Sequence, residues 1–265
     1  MALTPAPVAA RPRRRPVALT IAGTDSGGGA GVVADLKVFE AHGVWGTCAV
    51  TAVTAQNTVG VHAMAVVPAR VVVAQIEAVA GDIGVDAAKT GMLATAELVV
   101  AVAGAVRRAG IANLVVDPVL VSKHGESLLA DDAVAAVRDH LLPLAAIVTP
   151  NLSEAARLVG FAVEDRATME AAALELVRLG AGAALVKGGH LGGDSSPDCL
   201  VVSGVAGTVW FEADRIDSRD THGTGCVLSA ALCAELARGA NLPDAVRAAA
   251  AFVRRAITAG IPLGT

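Results

Sequence analysis

The chain contains few aromatic residues and no tyrosine. Phenylalanine, tyrosine and tryptophan make up only 2% of its 265 residues, whereas hydrophobic residues make up 54%. The core must therefore be built from alanine, valine and leucine. Proteins that bind single-stranded nucleic acids stack bases on aromatic side chains, so the composition argues against that class. A formal net charge of −4 also gives no general attraction to nucleic acids or anionic membranes.

Cysteine is scarce, and its spacing excludes two further classes. The four cysteines, Cys48, Cys199, Cys226 and Cys233, form no CxxC pair and have no metal-ligand spacing. This pattern indicates neither a disulfide framework nor a zinc site. We expect reduced thiols in a cytoplasmic protein.

Charged residues are absent from residues 41–69. That run is not a membrane span, because Gln56, Asn57 and Thr58 interrupt the roughly 20 apolar residues that a span needs. We interpret it as a buried strand followed by a loop, and we expect no membrane partner.

The first 16 residues are rich in proline, alanine and arginine. They contain no long apolar stretch after the arginines and no cleavage-like pattern, so they do not resemble a secretion signal. We predict a disordered basic tail over residues 1–16, with a weak anion-binding arm as the alternative, and one folded domain over residues 17–265.

Beyond the tail, apolar strand-like runs alternate with helical patterns. The segment GVVADLKVFEAHG places Val32, Leu36 and Phe39 on one helix face, and GTCAVTAVTA is typical of a single buried strand. The predicted strands are continuous runs of Val, Leu, Ile and Ala, as in parallel sheets covered on both faces. We therefore predict an α/β fold: a three-layer α/β/α sandwich with a mostly parallel central sheet. The segments DCLVVSG and TVWFEAD predict a small antiparallel hairpin near the end.

Polar and glycine-rich loops follow the predicted strands. In open α/β sheets, ligands bind at the carboxyl ends of the strands, so these loops are expected to meet at one edge. The loops are residues 23–31, 91–92, 117–119, 149–154, 187–190 and 221–226.

The loop THGTGC, residues 221–226, precedes a long alanine-rich helix pattern. Its two glycines let consecutive backbone N–H groups converge on an anion, and the helix adds its positive end. Cys226 falls in the first helical turn, where a thiolate is favoured. Three roles stay open for it: covalent nucleophile, proton acceptor or structural thiol. His222 is adjacent in sequence, which does not establish a catalytic pair.

The other loops have both a binding and a structural interpretation. Lys187, in KGGH, suits a phosphate group or faces solvent at a turn. Asn151 and Glu154 suit either a helix cap or a Mg²⁺ site, and Asp117 ends a strand where a carboxylate helps to hold a metal. Gln56 can both donate and accept, as recognition of an amino-heterocycle requires.

The first glycine-rich loop, AGTDSGGGAG, matches neither a Walker loop nor a dinucleotide fingerprint. Close backbone approach to a small ligand is the more natural use of its glycines. Asp35, on the following helix, either reaches that ligand or is solvated.

Seven segments, taken together, resemble the ribokinase-like small-molecule kinases, and among them the hydroxymethylpyrimidine and phosphomethylpyrimidine kinases of thiamine biosynthesis. They occur in the family's order from Leu19 to Ala231, and the one departure is Ser26-Gly27 in the first loop, where the family often has Ser or Pro-Ser. The segments are LTIAGTDSGGGAGVVADLKVF, TAVTAQNT, KTGML, VVDPVLVSKHGESLL, IVTPNLSEA, LVKGGH and THGTGCVLSAAL.

The resemblance implies a function and a role for each matching residue. It implies a kinase domain over residues 17–265 that uses ATP and Mg²⁺ to phosphorylate a pyrimidine alcohol and then its monophosphate, in a homodimer. Cys226 would be the proton acceptor, with its pKa lowered by the electropositive turn, and SKHGESLL a flap over the substrate. The implied anion hole is Gly223, Thr224, Gly225 and Cys226; the implied nucleotide contacts are Lys187, Asn151 and Gly225; the implied metal ligands are Glu154 and Asp117; and the implied pyrimidine pocket is Gly23, Asp35, Gln56, Met92 and Val119.

Three rival functions remain at this point. A pyridoxal-type vitamin kinase belongs to the same superfamily and has overlapping pocket residues. A non-catalytic vitamin- or nucleotide-binding regulator would not need Lys187, Glu154 and the THGTGC loop together. A thiol hydrolase would need a His/Asn constellation around Cys226, and none is apparent in the sequence.

Overall fold

The computed structural model describes residues 15–120, 131–189, 191–192, 195–216 and 223–260. Its strands are β1 (Val17–Ala22), β2 (Trp45–Val50), β3 (Ala52–Gln56), β4 (Val61–Val66), β5 (Ala87–Thr90), β6 (Leu114–Val116), β7 (Ile147–Val148), β8 (Ala183–Lys187), β9 (Asp198–Val202) and β10 (Val209–Phe211). Eight of them form one sheet in the order β10-β9-β8-β7-β6-β5-β1-β2. The strands from β8 to β2 are parallel, and β9 and β10 are antiparallel to their neighbours.

Helices cover both faces of this sheet. They are α1 (Gly31–Ala41), α2 (Ala69–Asp82), α3 (Ala96–Arg108), α4 (Asp131–Ala136), α5 (Leu152–Val159), α6 (Arg166–Arg178), α7 (Thr224–Ala237) and α8 (Leu242–Thr258). A π-helical turn, Val137–Leu141, and a 3-10 turn, Leu142–Leu144, follow α4. One buried cluster joins the sheet to α2 through α6, and a second joins its other face to α1, α7 and α8.

Neighbouring residues of a strand point to opposite clusters. Leu19 and Ile21 belong to the first cluster and Ala18 to the second. A strand buried on both faces needs apolar residues at every position, which is why these strands show no alternation. The predicted three-layer α/β/α sandwich with its mostly parallel sheet is confirmed.

The prediction for GTCAVTAVTA is wrong in one respect. The segment forms two strands, β2 and β3, separated by the buried Thr51, whose hydroxyl donates to the carbonyl of Met92 at 2.7 Å. Strand β3 leaves the main sheet and pairs antiparallel with β4 in a separate two-stranded sheet, called here the β3–β4 sheet. All six residues of β4 are exposed, so the uncharged run is not simply a buried strand and a loop.

The predicted hairpin is present as β9 and β10. Strand β9 also pairs with β8, so the hairpin completes one edge of the main sheet.

At the amino terminus, ordered contacts begin before the predicted boundary at residue 17. Arg15 forms an ion pair with Glu40 at 2.8 Å, and the carbonyl of Pro16 accepts from the Trp45 amide at 2.7 Å. Residues 1–14 lie outside the described part. Within the described residues, the helices are too short or too polar to cross a bilayer.

Candidate active site

A cleft of about 2140 Å³ opens at the carboxyl edge of the parallel strands. A site for one small molecule usually occupies roughly 300–1,000 Å³, so the cleft has room for more than one ligand. It brings together every site residue expected from the sequence except Asp35. Those that line it are Gly23, Gln56, Met92, Asp117, Val119, Asn151, Glu154, Lys187, Gly223, Thr224, Gly225 and Cys226.

Two glycine-rich loops meet backbone to backbone at the centre of the cleft. Gly223 has a φ of +79°, and a Cβ there would lie 1.9 Å from the carbonyl oxygen of Gly29. Gly31 has a φ of +58°, and its Cβ would lie 2.3 Å from the oxygen of Gly23. Glycine is required at both positions by its conformational freedom and by space. The first turn of α7 therefore abuts the loop between β1 and α1.

Asp25 holds the first of these loops in shape. Its Oδ1 accepts from the Gly27 amide at 2.8 Å, and its Oδ2 accepts from the amides of Gly29 at 3.1 Å and Ala30 at 2.9 Å. The carboxylate is almost fully buried. Sequence analysis did not single out Asp25, although an Asp just before several glycines is typical of such side-chain-to-backbone turns.

Lys187 faces two carboxylates across the cleft. Its Nζ lies 3.8 Å from Asp117 Oδ1, and a Cβ on Gly225 would be 3.4 Å from that Nζ. Burial opposes protonation of Lys187, but Asp117, Glu154 and Asp198 outweigh it and raise the pKa of the lysine. Lys187 is thus a fixed positive charge beside the first turn of α7, where an anionic group would bind.

Asn151 and Glu154 form a capping box at the start of α5. The Asn151 side chain accepts from the Glu154 amide at 2.9 Å, and Glu154 Oε2 accepts from the Asn151 amide at 2.9 Å. Asn151 and Glu154 therefore do form the helix cap, the first of the two roles considered for them. Glu154 also lines the cleft, and burial raises the pKa of its carboxyl although Lys187 opposes the shift.

Asp117 is positioned by the opposite helix. Its Oδ2 accepts from the buried Ser229 hydroxyl at 2.9 Å, and that hydroxyl lies 3.1 Å from the carbonyl oxygen of Cys226. This chain of contacts ties the end of β6 to the first turn of α7. Among the described residues, the structure shows no group of three or more His, Cys, Asp or Glu side chains suited to bind a metal.

Cys226 lies in the first turn of α7, as predicted, but its expected titration is wrong. Burial raises the pKa of its thiol to about 11, although Lys89 and a backbone hydrogen bond from Gly31 oppose the shift. Asp117 and Asp35 raise it further. The sequence argument from the helix terminus took no account of burial, which is the largest effect on this thiol.

Asp35 does not line the cleft, contrary to expectation. It is fully buried in the second turn of α1, where Lys89 Nζ donates to Oδ1 at 3.0 Å and the Thr20 hydroxyl donates to Oδ2 at 2.6 Å. Sequence analysis missed Lys89, which is also fully buried. Burial opposes its protonation, but Asp35, Cys226 and Asp117 together outweigh burial and raise the pKa of the lysine.

Part of the cleft wall is apolar and is formed by Gly23, Met92 and Val119. A Cβ on Gly23 would lie 2.7 Å from Met92 Cε, so glycine leaves room for that side chain. Val119 adopts a φ of +43°, which is rare for a β-branched residue. Gln56 is fixed through its backbone, whose amide donates to Ser26 Oγ at 2.7 Å. The segment SKHGESLL, residues 122–129, and residues 217–222 lie outside the described part.

The architecture and the site define a class: an α/β small-molecule kinase, with an electropositive helix terminus, a lysine and two carboxylates at the sheet edge. The chain belongs to the phosphomethylpyrimidine kinase family, whose model matches residues 25–265. It is 50% identical over 249 residues to the hydroxymethylpyrimidine/phosphomethylpyrimidine kinase of Streptomyces coelicolor, covering 94% of this chain and 91% of the relative.

Two solved structures show the same fold. The phosphomethylpyrimidine kinase of Clostridium difficile is 37% identical with a TM-score of 0.81, covering 91% of this chain and 99% of that one. The pyridoxal kinase of Bacillus subtilis, solved as an ADP complex, is 37% identical with a TM-score of 0.88, covering 95% of both chains.

Proposed function

We propose that this protein transfers the γ-phosphoryl group of ATP to 4-amino-5-hydroxymethyl-2-methylpyrimidine and then to its monophosphate, forming the diphosphate used in thiamine biosynthesis. The observation that carries the proposal is the meeting of the α7 terminus, Lys187 and the glycine loop in one cleft. In each step an oxygen–phosphorus bond forms to the substrate and the bond to ADP breaks. The protein contributes position and charge.

The phosphoryl group is proposed to bind at Gly223, Thr224 and Gly225. Lys187 lies against this turn and offsets the charge that moves between ATP and the acceptor. Preorganised donors of this kind are worth roughly 2.7–4 kcal/mol each in related oxyanion sites. Asn151 is proposed to contact the nucleotide.

Cys226 is proposed to accept the proton of the substrate hydroxyl. A thiol with a pKa of about 11 is protonated at rest near neutral pH. Phosphoryl transfer proceeds through a loose transition state, in which the hydroxyl becomes acidic only as its oxygen bonds to phosphorus. A proton acceptor is therefore needed only late in the transfer. A protonated thiol cannot take up that proton, so the fraction of Cys226 present as thiolate is the form proposed to accept it, which returns the neutral thiol.

Mg²⁺ is proposed to bind with the nucleotide at Asp117 and Glu154. Mg²⁺ is usually held by one or two carboxylates together with substrate phosphates, and these two carboxylates share the cleft wall with Lys187. The ion would neutralise phosphate charge. This donor set fits the ion without a cluster of three protein ligands.

Gln56, Met92, Val119 and Gly23 are proposed to form the pyrimidine pocket. The Gln56 amide both donates and accepts, which suits the ring nitrogen and exocyclic amine of an aminopyrimidine. Met92 and Val119 supply apolar contact. Asp35 is left out of this pocket because it does not reach the cleft.

The protein is further proposed to work as a homodimer in the cytoplasm. The β3–β4 sheet exposes an apolar surface, and isolated two-stranded sheets are marginally stable without a packing partner. A second copy would supply that partner. Val53 and Val66 are exposed without lining the cleft, whereas Val59, Val61 and Met64 are exposed where they line it. The four free cysteines suit a reducing compartment.

One assay tests the function. The protein is incubated with ATP and Mg²⁺ and with either the hydroxymethylpyrimidine or pyridoxal, and the products are separated by mass. We expect the pyrimidine monophosphate and then the diphosphate, each with equal release of ADP. If only pyridoxal is phosphorylated, the protein is instead a pyridoxal kinase, like the Bacillus subtilis structure. If neither alcohol leads to release of ADP, the proposal that the protein is a kinase is refuted.

A further inference from the structure

A buried polar layer lies beneath the cleft, between the sheet and helices α1 and α7. On this face β1 contributes Thr20, β5 contributes Lys89, and Asp117 follows β6. Each residue lies two positions after an alanine or valine of the second core cluster: Ala18, Ala87 and Val115. Because alternate strand residues share a face, the layer belongs to the α1 and α7 side of the sheet.

Lys89 and Asp35 are the central pair of this layer. Both side chains have zero exposure, and their charged atoms are 3.0 Å apart. Buried ion pairs of this kind are often no more stabilising than apolar residues of the same size. The surrounding core consists of alanine, valine and leucine, so apolar packing was available at this point. Stability alone therefore does not account for the pair.

The pair lies under the catalytic end of α7. Lys89 interacts electrostatically with Cys226 and Asp117 as well as with Asp35. A Cβ on Gly91 would lie 3.7 Å from Lys89 Nζ, and Gly91 lines the cleft floor. Lys89 is thus a permanent cation close below the cleft, separated from it by the backbone of residue 91.

The described charged and titratable groups that act on Cys226 come from several elements. Asp35 comes from α1, Lys89 from β5, Asp117 from the end of β6, and Lys187 from β8. Only Lys89 and Lys187 are cations. Lys187 lines the open cleft, where it is committed to the anionic ligand, whereas Lys89 is enclosed and keeps its position whatever the cleft contains.

We propose that Lys89, held in place by Asp35, is a positioning residue for phosphoryl transfer: its charge favours the thiolate form of Cys226, which is the form that can accept the proton of the substrate hydroxyl. This inference rests on the proposed role of Cys226. The charge acts through the water-poor interior, where electrostatic interactions are stronger than in water. Thr20 fixes the second oxygen of Asp35, so the cation cannot follow the ligand or relax away.

The test removes both charges together, because removal of one would leave the other buried and unpaired. In Lys89→Met/Asp35→Asn, methionine keeps the chain length and asparagine keeps an acceptor for Thr20. The matched control is Arg108→Met/Glu77→Gln, which removes an ion pair of 2.9 Å between α3 and α2 that does not line the cleft. Each variant is examined for kcat, for KM, and for the pH dependence of Cys226 alkylation, followed on the Cys226 peptide by mass spectrometry.

We expect the Lys89→Met/Asp35→Asn variant to lose at least about tenfold in kcat, short of the roughly 10²–10⁴-fold that a general base itself contributes, because Asp35 opposes Lys89 at Cys226 and its removal offsets part of the loss. Both KM values should stay within about threefold, since neither residue contacts a ligand. The alkylation midpoint should move to higher pH. The control should leave all three readouts unchanged. An unchanged kcat, or an unchanged alkylation midpoint, would overturn the proposal.

A second variant keeps the proposal testable if the first variant does not fold. Lys89→Arg keeps the charge and should keep the alkylation midpoint and most of kcat; a folded Lys89→Arg chain that loses either overturns the proposal. The alkylation readout needs no substrate. If the wild type phosphorylates neither alcohol, the proposed function fails, while the shift of the Cys226 midpoint still tests Lys89.

Discussion

At the scale of single residues, the site depends on glycines that leave no room for a side chain. Gly223 begins the turn proposed to bind the phosphoryl group, and its α-carbon faces the carbonyl of Gly29. The same residue adopts a left-handed backbone conformation. Position 223 therefore requires glycine for two reasons, the left-handed backbone and the lack of space, and each can be tested separately.

The substitution Gly223→Ala should impair both folding and catalysis. Alanine adds a left-handed strain of about 1–2 kcal/mol and also a clash with Gly29, so we expect a loss of at least about 2 kcal/mol in unfolding free energy. Displacement of the turn should lower kcat by more than about tenfold. The control is Gly239→Ala: its φ is +89°, but nothing lies within 4 Å of the added Cβ. It should lose stability through strain alone and keep normal kcat. Equal effects of the two in urea unfolding and kinetics would contradict the contact with Gly29.

Asp198 should make stability depend on pH in a defined window. Burial raises the pKa of its carboxyl from 3.8 to about 6, although Gly188 and Lys187 oppose the shift. Between about pH 4 and 6 the folded chain holds a proton that the unfolded chain releases, so the contribution of Asp198 to stability falls as pH rises. Asp198→Asn removes this loss. Relative to wild type, it should be neutral near pH 4 and more stable by about 1–2 kcal/mol at pH 7.

Urea unfolding at several pH values measures this difference. Asp165→Asn is the control with the opposite sign, because hydrogen bonds from Thr168 lower the pKa of that exposed carboxyl. Its contribution is present above the ordinary pKa and is lost on acidification. A difference between Asp198→Asn and wild type that does not vary with pH would show that the carboxyl does not titrate in this window.

Most residues found by sequence analysis share one property: each follows an apolar run in a loop of polar and glycine residues. Lys187 and Asn151 were found in this way, since the carboxyl ends of parallel strands meet at one edge, whereas Gly223 was found from the glycines that precede its helix. Asp35 and Lys89 were not paired in advance, because 54 residues separate them in the chain. The titration of Cys226 was also missed. The helix terminus is a local feature, whereas the burial that raises the pKa of the thiol depends on distant segments.

At the scale of elements, too, some features had a recognisable sequence pattern, whereas others did not. The parallel strands were recognisable because a strand buried on both faces is apolar at every position. Strand β4 was not predicted, since all its residues are exposed and it belongs to the same uncharged run as β2 and β3. Its antiparallel pairing with β3 is made across the turn at residues 57–60, where Asn57 Oδ1 accepts from the amides of Val59 and Gly60.

Strand β10 is an edge strand that forms one wall of the cleft, and helix α6 holds it. The Arg166 guanidinium lies 4.2 Å from the centre of the Trp210 ring and pairs with Glu212 at 2.5 Å. Trp210 and Glu212 both line the cleft. A short edge strand gains much of its order from such contacts, so Arg166 is expected to set the position of this wall.

The substitution Arg166→Ala should loosen β10 with little effect on global stability. We expect a loss of about 0.5–1 kcal/mol, as for exposed cation–π and ion pairs. The emission of Trp210 should shift to longer wavelength as its ring loses cover, read in a Trp45→Phe background. Arg178→Ala is the control, since Arg178 on the same helix pairs with the Glu175 carboxylate and, among the described residues, with no group of β10. Identical emission in the two variants would show that Arg166 does not hold Trp210 in place.

At the scale of the whole molecule, the main sheet and the β3–β4 sheet differ in how well their faces are covered. The main sheet is covered on both faces, and its charged groups are concentrated in the layer beneath the cleft. Among the described residues, no helix packs closely on the β3–β4 sheet, and Val53 and Val66 are exposed on it. Strand β4 pairs only with β3 within that part of the chain, and an unpaired strand edge is a template for pairing with another chain. A second copy is the occupant that would cover this surface in every molecule.

The oligomeric state should therefore depend on Val53, which is 54% exposed on β3 and does not line the cleft. A buried charge opposes association, so Val53→Asp should convert the dimer to a monomer in size-exclusion chromatography with light scattering. Leu174→Asp is the matched control, because Leu174 is 53% exposed on α6 and lies far from this sheet in the fold. It should remain dimeric. A wild type that is monomeric at micromolar concentration would refute the dimer. A Val53→Asp chain that stays dimeric would move the interface away from the β3–β4 sheet, because an aspartate there could not be buried against a second copy without a large loss of affinity.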